Sequence, residues 1–173
     1  MAKNRIFDIS CVIEDMDPKK IRSIDIEGAP NAINQLSIVD GRLNSMFNGY
    51  FTKDEFSNKS RFAITKVLEK ANVLVGFNIS SDLKALNRYH FKISSHTLII
   101  DLYRTFLFLV NNKVETDSDM KGYTLKDVAA HYDVHNKQGH CRSLKPKASS
   151  CRLQVLLPIC TLITPVQHHT VKS

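Results

Sequence analysis

Long hydrophobic segments are missing from this chain of 173 residues. The longest apolar run, 106–110, is far shorter than the roughly 20 residues that a membrane-spanning helix needs. Near the N-terminus, acidic residues interrupt every apolar stretch, so no signal-peptide core is present. The apolar and charged fractions, 43% and 24%, are ordinary for a globular protein. These features predict a soluble, cytoplasmic protein that does not bind a membrane.

Several familiar catalytic motifs are also missing. The chain has no glycine-rich phosphate loop, no G-x-S-x-G nucleophile elbow and no H-E-x-x-H metal motif. Its four cysteines fit neither a zinc ribbon nor a C-x-x-C redox pair, so reduced thiols are expected. P-loop enzymes, α/β-hydrolases, zincins and dithiol oxidoreductases are therefore disfavoured.

Acidic residues are absent after Asp133. Residues 1–133 hold 18 Lys and Arg against all 17 Asp and Glu, whereas the last 40 residues hold six basic side chains. The net charge of +7 therefore belongs mainly to the tail. This composition is typical of a replaced or out-of-frame C-terminus. A basic arm that grips phosphates is the competing interpretation, which the lack of aromatic residues for base stacking disfavours.

Apolar periodicity predicts a run of strands followed by alternating helices and strands. Period-two patterns predict three short antiparallel strands at 21–27, 36–39 and 45–51. The period then becomes helical at 54–70, and continuous apolar runs predict buried parallel strands at 73–77 and 98–100. We predict an α/β fold in which an antiparallel meander is followed by parallel strands, with helices on the faces of the mixed sheet.

Local capping signals mark where the later helices begin. Asn78 and Ser80 are predicted N-caps of a helix that follows the strand at 73–77. A helix is also predicted at 102–110. Thr124 with Asp127 three residues later predicts a capping box at the start of a last helix.

Two carboxylates near the end of the first strand are candidate metal ligands. Asp25 and Glu27 stand at i and i+2, so strand geometry points both to one face of the sheet. Such a pair repels itself unless a cation lies between its members, and carboxylate oxygens suit Mg²⁺ or Mn²⁺. The alternative is that one or both side chains point into water.

Other candidates have equally plain structural explanations. Asp82 falls in the first turn of a predicted helix, where a carboxylate complements the helix dipole. Asp101 follows the last apolar run, where it would cap the next helix. Three histidines, His131, His135 and His140, cluster within ten residues and include a candidate general base, although most such side chains are ordinary surface groups.

Taken in order, these residues resemble the DEDDh exonucleases, and within them the proofreading epsilon subunit of bacterial DNA polymerase III. The resemblance rests on D-I-E at Asp25–Glu27, on Asn78-x-x-x-Asp82 after a strand, and on His140 after a capped helix. The supporting stretches are SIDIEGAPNAINQLSIV, VLVGFNISSDLKALN, LIIDLYRTF and YTLKDVAAHYDV. They span about residues 21–141.

The resemblance implies a ribonuclease-H-like fold and a two-metal phosphodiesterase that acts on DNA or RNA 3′ ends, with a DNA polymerase as a potential partner. By carry-over, Asp25 would bind two divalent cations, Mg²⁺ or Mn²⁺, while Glu27 would bind one and Asp82 would help to hold the other. His140 would be the general base.

Three further positions would contact the terminal nucleotide. Ile26 and the backbone at Gly28 would line its slot, and Asn78 lies where family members hold the strand end. The resemblance divides the chain into an N-terminal extension at 1–20, an exonuclease domain at 21–141 and a basic, acid-free tail at 142–173.

The sequence departs from the family at its third motif, a His followed five residues later by a metal-binding Asp. The fifth residue after His140 is Lys145, and the fifth after His135 is His140 itself. An ammonium beside divalent cations is unfavourable, so impaired activity is expected. The alternatives are a non-catalytic nucleic-acid-binding or polymerase-associated module of the same fold, and a defective product of low solubility.

Overall fold

A computed structural model describes residues 16–29, 32–51, 56–111 and 122–131. After a short 3₁₀ turn at Pro18–Lys20, these ranges contain five strands and four helices. The strands are β1 (Ile21–Ala29), β2 (Ala32–Asp40), β3 (Ser45–Tyr50), β4 (Val73–Gly76) and β5 (Leu98–Asp101). The helices are α1 (Asn58–Glu69), α2 (Ser80–Arg88), α3 (Leu102–Asn111) and α4 (Leu125–His131).

The five strands form one mixed sheet in the order β3-β2-β1-β4-β5. Strands β1, β2 and β3 form an antiparallel meander, and β1, β4 and β5 run parallel to one another. Both parts of the predicted fold class are therefore confirmed. The parallel strands bring their carboxyl ends to the same edge of the sheet, which is where ligands bind in open α/β sheets.

Alternation of side chains along the strands separates two apolar clusters on opposite faces of the sheet. On one face, α3 and α4 cover residues such as Ile21, Val73 and Val75. On the other face, α1 and α2 cover residues such as Ile24 and Leu74. This two-faced burial explains why β4 is apolar throughout.

Two predictions about burial are wrong. Leu98 and Ile99 are 41% and 38% exposed, because β5 stands at the edge of the described sheet rather than inside it. The helical period at 54–70 also places Phe62 on the apolar face of α1, whereas its side chain is 67% exposed. Phe62 precedes the buried Ile64 by two residues, and such positions point to opposite sides of a helix.

Helix starts agree with the sequence where the capping group is local. The capping box of α4 is confirmed, because the Thr124 N–H donates to Asp127 Oδ2 at 3.0 Å and the Asp127 N–H donates to Thr124 Oγ1 at 3.3 Å. Helix α1 begins at Asn58 rather than at 54, since Ser57 caps it by accepting the Ser60 N–H at 3.1 Å. No helix in the described ranges is long and apolar enough to cross a membrane.

Candidate active site

Strand β1 carries the first two candidate residues beyond the point where β4 pairs with it. The β1–β4 register runs from Ile21 to Ser23, and the chain then continues alongside β2 only. Asp25 and Glu27 lie opposite Ser37 and Gln35 of β2, on one face of the strand and half-buried. One carboxylate oxygen of each is shielded from solvent, so neither side chain simply extends into water.

A β-bulge follows directly after Glu27. The register of β1 against β2 shifts between Glu27 and Gly28, and Gly28 adopts a φ of 128°. A Cβ atom built on Gly28 would lie 2.2 Å from the Ala32 carbonyl oxygen. The bulge therefore needs glycine, and it fixes where the pleat that orients Asp25 and Glu27 ends.

Helix α2 contributes the third candidate, Asp82, which lies in its first turn as predicted and is buried. Its carboxylate accepts a hydrogen bond from the backbone N–H of Ile26. Burial and the negative charges of Asp25, Glu27 and Asp101 raise the pKa of Asp82 to about 7, against the opposing effect of the Ile26 N–H. The four carboxylates are thus close enough to interact electrostatically.

The fourth carboxylate is Asp101, the last residue of β5. As predicted, it caps α3, because its Oδ1 accepts the Arg104 N–H at 3.4 Å. The same oxygen also accepts the Asn78 N–H at 2.9 Å. Sequence reasoning missed this second role. Local sequence patterns carry no signal for it, because it depends on β5 lying beside β4, which sets Asp101 opposite Gly76.

The predicted caps of α2 are wrong. Ile79 occupies the N-cap position, with no side-chain hydrogen bond, and Ser80 is the first helical residue. Asn78 instead adopts a left-handed φ of 55° in the turn between β4 and α2, and its backbone N–H donates to Asp101. Asn78 is exposed, as is Gly28, while Ile26 is half-buried against the cluster under α1 and α2.

The histidines fall mostly beyond the described residues. His131 ends α4, where its ring packs edge-on against Phe106 at a centroid distance of 5.6 Å. His135, His140 and Lys145 lie outside the described residues, as do the predicted tail at 142–173 and most of the predicted extension at 1–20. The role of His140 stays a prediction.

The donor atoms at this edge of the sheet are those that hard divalent cations prefer. Electrostatic repulsion among the four acids, expressed in the raised pKa of Asp82, is the condition that a bound cation relieves. Within the described ranges, however, no three His, Cys, Asp or Glu side chains form a group that could hold a metal ion. The carboxylates therefore supply the oxygen donors that such a cation prefers, but they do not form a complete coordination site by themselves.

Comparison with protein families supports the fold. The family model RNase_H_2, of the RNase H superfamily, matches residues 24–145, more than two thirds of the chain. The chain belongs to the RNase H superfamily. The matched range of this RNase H-like domain includes all four carboxylates, and superfamily membership indicates a nuclease-type activity. RNase H-like nucleases generally use divalent metal ions. No curated protein matches the chain.

Proposed function

We propose that this protein is a 3′→5′ exonuclease of the DEDDh type, similar to the epsilon subunit of DNA polymerase III, that acts on DNA or RNA 3′ ends. The observation that carries the proposal is the contact of α2 with β1 at these acids: the Asp82 carboxylate accepts the Ile26 N–H, and the charges of Asp25 and Glu27 help to raise its pKa. These residues come from β1 and α2, in the order in which the DEDDh pattern has them.

The three carboxylates would hold two divalent cations, Mg²⁺ or Mn²⁺, with Asp25 between them. The chemistry that bound cations supply in such sites is stabilisation of negative charge on the attacking and leaving oxygens. Asp82 carries a proton in part at neutral pH, because its pKa is about 7, and it must release this proton to act as a ligand. His140 would accept the proton of the attacking water.

The substrate-contacting roles belong to residues around the end of β1. Ile26 and the Gly28 backbone would line the slot for the terminal nucleotide, next to Glu27 along β1. Gly28 is exposed and lacks a side chain, which supports close approach of a ligand at this point. Asn78, exposed on the turn before α2, would contact the same nucleotide from the neighbouring strand end.

A basic surface supports a nucleic-acid partner. Helices α1 and α2, with the residues that follow them, carry six exposed cationic side chains: Lys59, Lys66, Lys70, Lys84, Arg88 and Lys92. Between residues 56 and 97 the acidic residues are Glu69, which pairs with Lys66, and the buried Asp82. Because α2 rises about 1.5 Å per residue, Arg88 lies about 9 Å along the helix from Asp82. Phosphates beyond a bound 3′ end would meet this surface, which we call the α1–α2 basic face.

A non-catalytic nucleic-acid-binding or polymerase-associated module is the second candidate function. Lys145 favours it, because this lysine stands where the DEDDh pattern has its last metal-binding Asp. The lack of a closed cation site within the described ranges also favours it. Such a module would use the α1–α2 basic face and would leave 3′ ends intact.

The deciding experiment follows nucleotide loss from a 5′-labelled single-stranded oligonucleotide in Mn²⁺. The unchanged protein, Asp25→Ala and Lys145→Asp are compared, each with and without chelator. If the oligonucleotide is shortened, and if both chelator and Asp25→Ala abolish the shortening, the result supports the exonuclease proposal. Absence of shortening from the folded, unchanged protein contradicts it. Activity that then arises only in Lys145→Asp identifies a nuclease site inactivated at its third motif. Tight binding without shortening in every variant supports the binding module.

A further inference from the structure

The turn between β4 and α2 holds a left-handed backbone conformation next to the acidic site. Asn78 has a φ of 55°, a value that asparagine adopts more readily than most residues with a Cβ atom but less readily than glycine. Helix α2 begins two residues later without a side-chain N-cap. Asp82 follows in the first turn of α2, four residues after Asn78, and its carboxylate accepts the Ile26 N–H.

The side chain of Asp101 holds this turn from the neighbouring strand. Its Oδ1 accepts the Asn78 N–H at 2.9 Å, a charge-assisted hydrogen bond to the residue with the left-handed backbone. Asp101 lies opposite Gly76, the last residue of β4, so it adjoins the place where the turn leaves the sheet.

Asp101 also makes three contacts with the first turn of α3. Its side chain is 11% exposed, and its Oδ2 lies 3.6 Å from Arg104 Nε. Its Oδ1 also caps α3 through the Arg104 N–H, and its carbonyl oxygen accepts the Thr105 hydroxyl at 2.9 Å. The carboxylate that accepts the Asn78 N–H therefore also interacts with the first turn of α3.

We propose that Asp101 is a positioning residue, whose hydrogen bond to the left-handed Asn78 aims Asp82 at Asp25 and Glu27 on β1. Its effect on catalysis rests on the proposed function, whereas its effect on the geometry of Asp82 does not. Partners that orient metal ligands typically contribute about 10–100-fold to metal affinity or activity.

The test compares Asp101→Ala, Asp101→Asn and the double variant Asp101→Ala/Asn78→Gly. Asparagine keeps an oxygen that can accept the Asn78 N–H, whereas alanine removes the acceptor. Glycine at 78 adopts a left-handed φ without the steric penalty, so it should compensate for the missing acceptor. Ser57→Ala is the matched control, because it removes the N-cap of α1 on a helix that carries none of the four acids.

The first readout is amide hydrogen exchange at Ile26 and Asn78 in metal-free protein. Ile26 reports the site because its N–H donates to Asp82. We expect both amides to exchange at least about tenfold faster in Asp101→Ala, to stay near their original rates in Asp101→Asn, and to slow again at Ile26 in the double variant. Ser57→Ala should change neither amide. An Ile26 amide that is unaffected by Asp101→Ala overturns the proposal, whether or not the protein is a nuclease.

The second readout is Mn²⁺ affinity by calorimetry, with kcat and KM for 3′-end shortening measured separately. Asp101→Ala should weaken Mn²⁺ binding by about tenfold or more and lower kcat with little change in KM, and Asn78→Gly should restore part of both. If Asp101→Ala matches Ser57→Ala in affinity and kcat, Asp101 is a helix cap only and the inference fails. If the unchanged protein neither binds Mn²⁺ nor shortens the oligonucleotide, the proposed function fails, and the exchange rates still decide the role of Asp101.

Discussion

The carboxylate of Asp82 accepts a hydrogen bond from the backbone N–H of Ile26, and this bond joins the first turn of α2 to the end of β1. The bond forms beyond the residues at which β4 pairs with β1. The Ile26 N–H of β1 is therefore not used by β4 and can donate to a side chain. The bond brings Asp82 beside Asp25 and Glu27 at the cost of burying a carboxylate among carboxylates. The acidic site is therefore an electrostatically unfavourable arrangement that the surrounding fold maintains.

Replacement of Asp82 by asparagine should change how stability depends on pH. The pKa of Asp82 is about 7 in the folded protein and 3.8 for an ordinary aspartate, so between these values the folded state binds the extra proton. The stability that this residue contributes is complete below the ordinary pKa and is lost as the pH rises through about 7. With about 1.4 kcal/mol for each pH unit of the difference, the loss is on the order of 4 kcal/mol.

Urea unfolding in chelator, at about pH 4 and about pH 8, checks this expectation. The unchanged protein should lose on the order of 4 kcal/mol more than Asp82→Asn over this interval. Both proteins carry the same histidines, so the difference between them isolates Asp82. Parallel pH profiles would show that Asp82 ionises normally in the folded state.

Much of the architecture was predictable because it depends on local patterns. Period-two alternation predicted the meander, and the capping box at Thr124 and Asp127 formed as expected because both partners lie within one turn. The approach of Asp25 to Glu27 also follows from strand geometry alone. These features need no knowledge of which strands are neighbours.

The remaining features depend on residues that are distant in sequence. An apolar run cannot distinguish an edge strand from a central one, so periodicity places Leu98 and Ile99 in the interior although both are exposed. Asn78 resembles a cap because a strand-to-helix turn favours Asn there, yet its backbone is committed to Asp101, 23 residues away. That bond exists only because β4 and β5 are adjacent, which sequence periodicity does not specify.

Gly28→Ala should destabilise the protein and disturb the site together. Alanine at a φ of 128° is strained, and its Cβ would lie 2.2 Å from the Ala32 carbonyl oxygen, which belongs to backbone and cannot swing away. We expect a loss of about 2–4 kcal/mol in the free energy of unfolding. Because Glu27 precedes the bulge, cation binding should weaken beyond what the lower stability explains.

Gly122→Ala provides the comparison for this substitution. Its added Cβ would approach the tip of the Asp127 side chain, at 3.1 Å, rather than backbone. Its cost should stay within about 1 kcal/mol, measured by the same urea unfolding. Equal losses at the two glycines would mean that the bulge tolerates a side chain.

Arg61→Lys should weaken the junction between α1 and the end of α2. The Arg61 guanidinium donates to the Tyr89 carbonyl oxygen at 2.9 Å and lies 5.6 Å and 5.7 Å from the ring centroids of Phe56 and Phe91. A lysine ammonium cannot keep the cation–π contacts with both rings and the hydrogen bond at once. The expected loss is about 1–2 kcal/mol in thermal or urea unfolding.

Lys66→Ala serves as the control for a cation on the same helix. Lys66 pairs with Glu69 at 3.3 Å, but both side chains are about half exposed. Such surface pairs contribute less than about 1 kcal/mol. If Lys66→Ala costs as much as Arg61→Lys, the partly buried interactions of Arg61 are not what stabilises this junction.

Charge reversal on the α1–α2 basic face should weaken nucleic-acid binding in a way that depends on salt. The triple variant changes three cations along and after α2: Lys84→Glu, Arg88→Glu and Lys92→Glu. Binding of a fluorescent single-stranded oligonucleotide is followed by anisotropy over a series of salt concentrations, in chelator so that no cleavage occurs. The slope of log affinity against log salt is negative, and it should become less steep by about 0.7 for each phosphate of a single strand that the variant no longer neutralises.

A second triple variant replaces Lys19, Lys20 and Arg42 by Glu. It carries the same change in net charge at the opposite edge of the sheet. Lys19, Lys20 and Arg42 are exposed near the amino end of β1, where the Gly41 N–H donates to the Pro18 carbonyl oxygen at 2.9 Å. If phosphates bind the α1–α2 basic face, this control should keep most of the affinity and nearly the full salt slope. The reason is that its reversed charges lie away from the face along which the oligonucleotide would bind. Equal losses of affinity in the two triple variants would instead mean that overall charge attracts the oligonucleotide and that no particular face binds it.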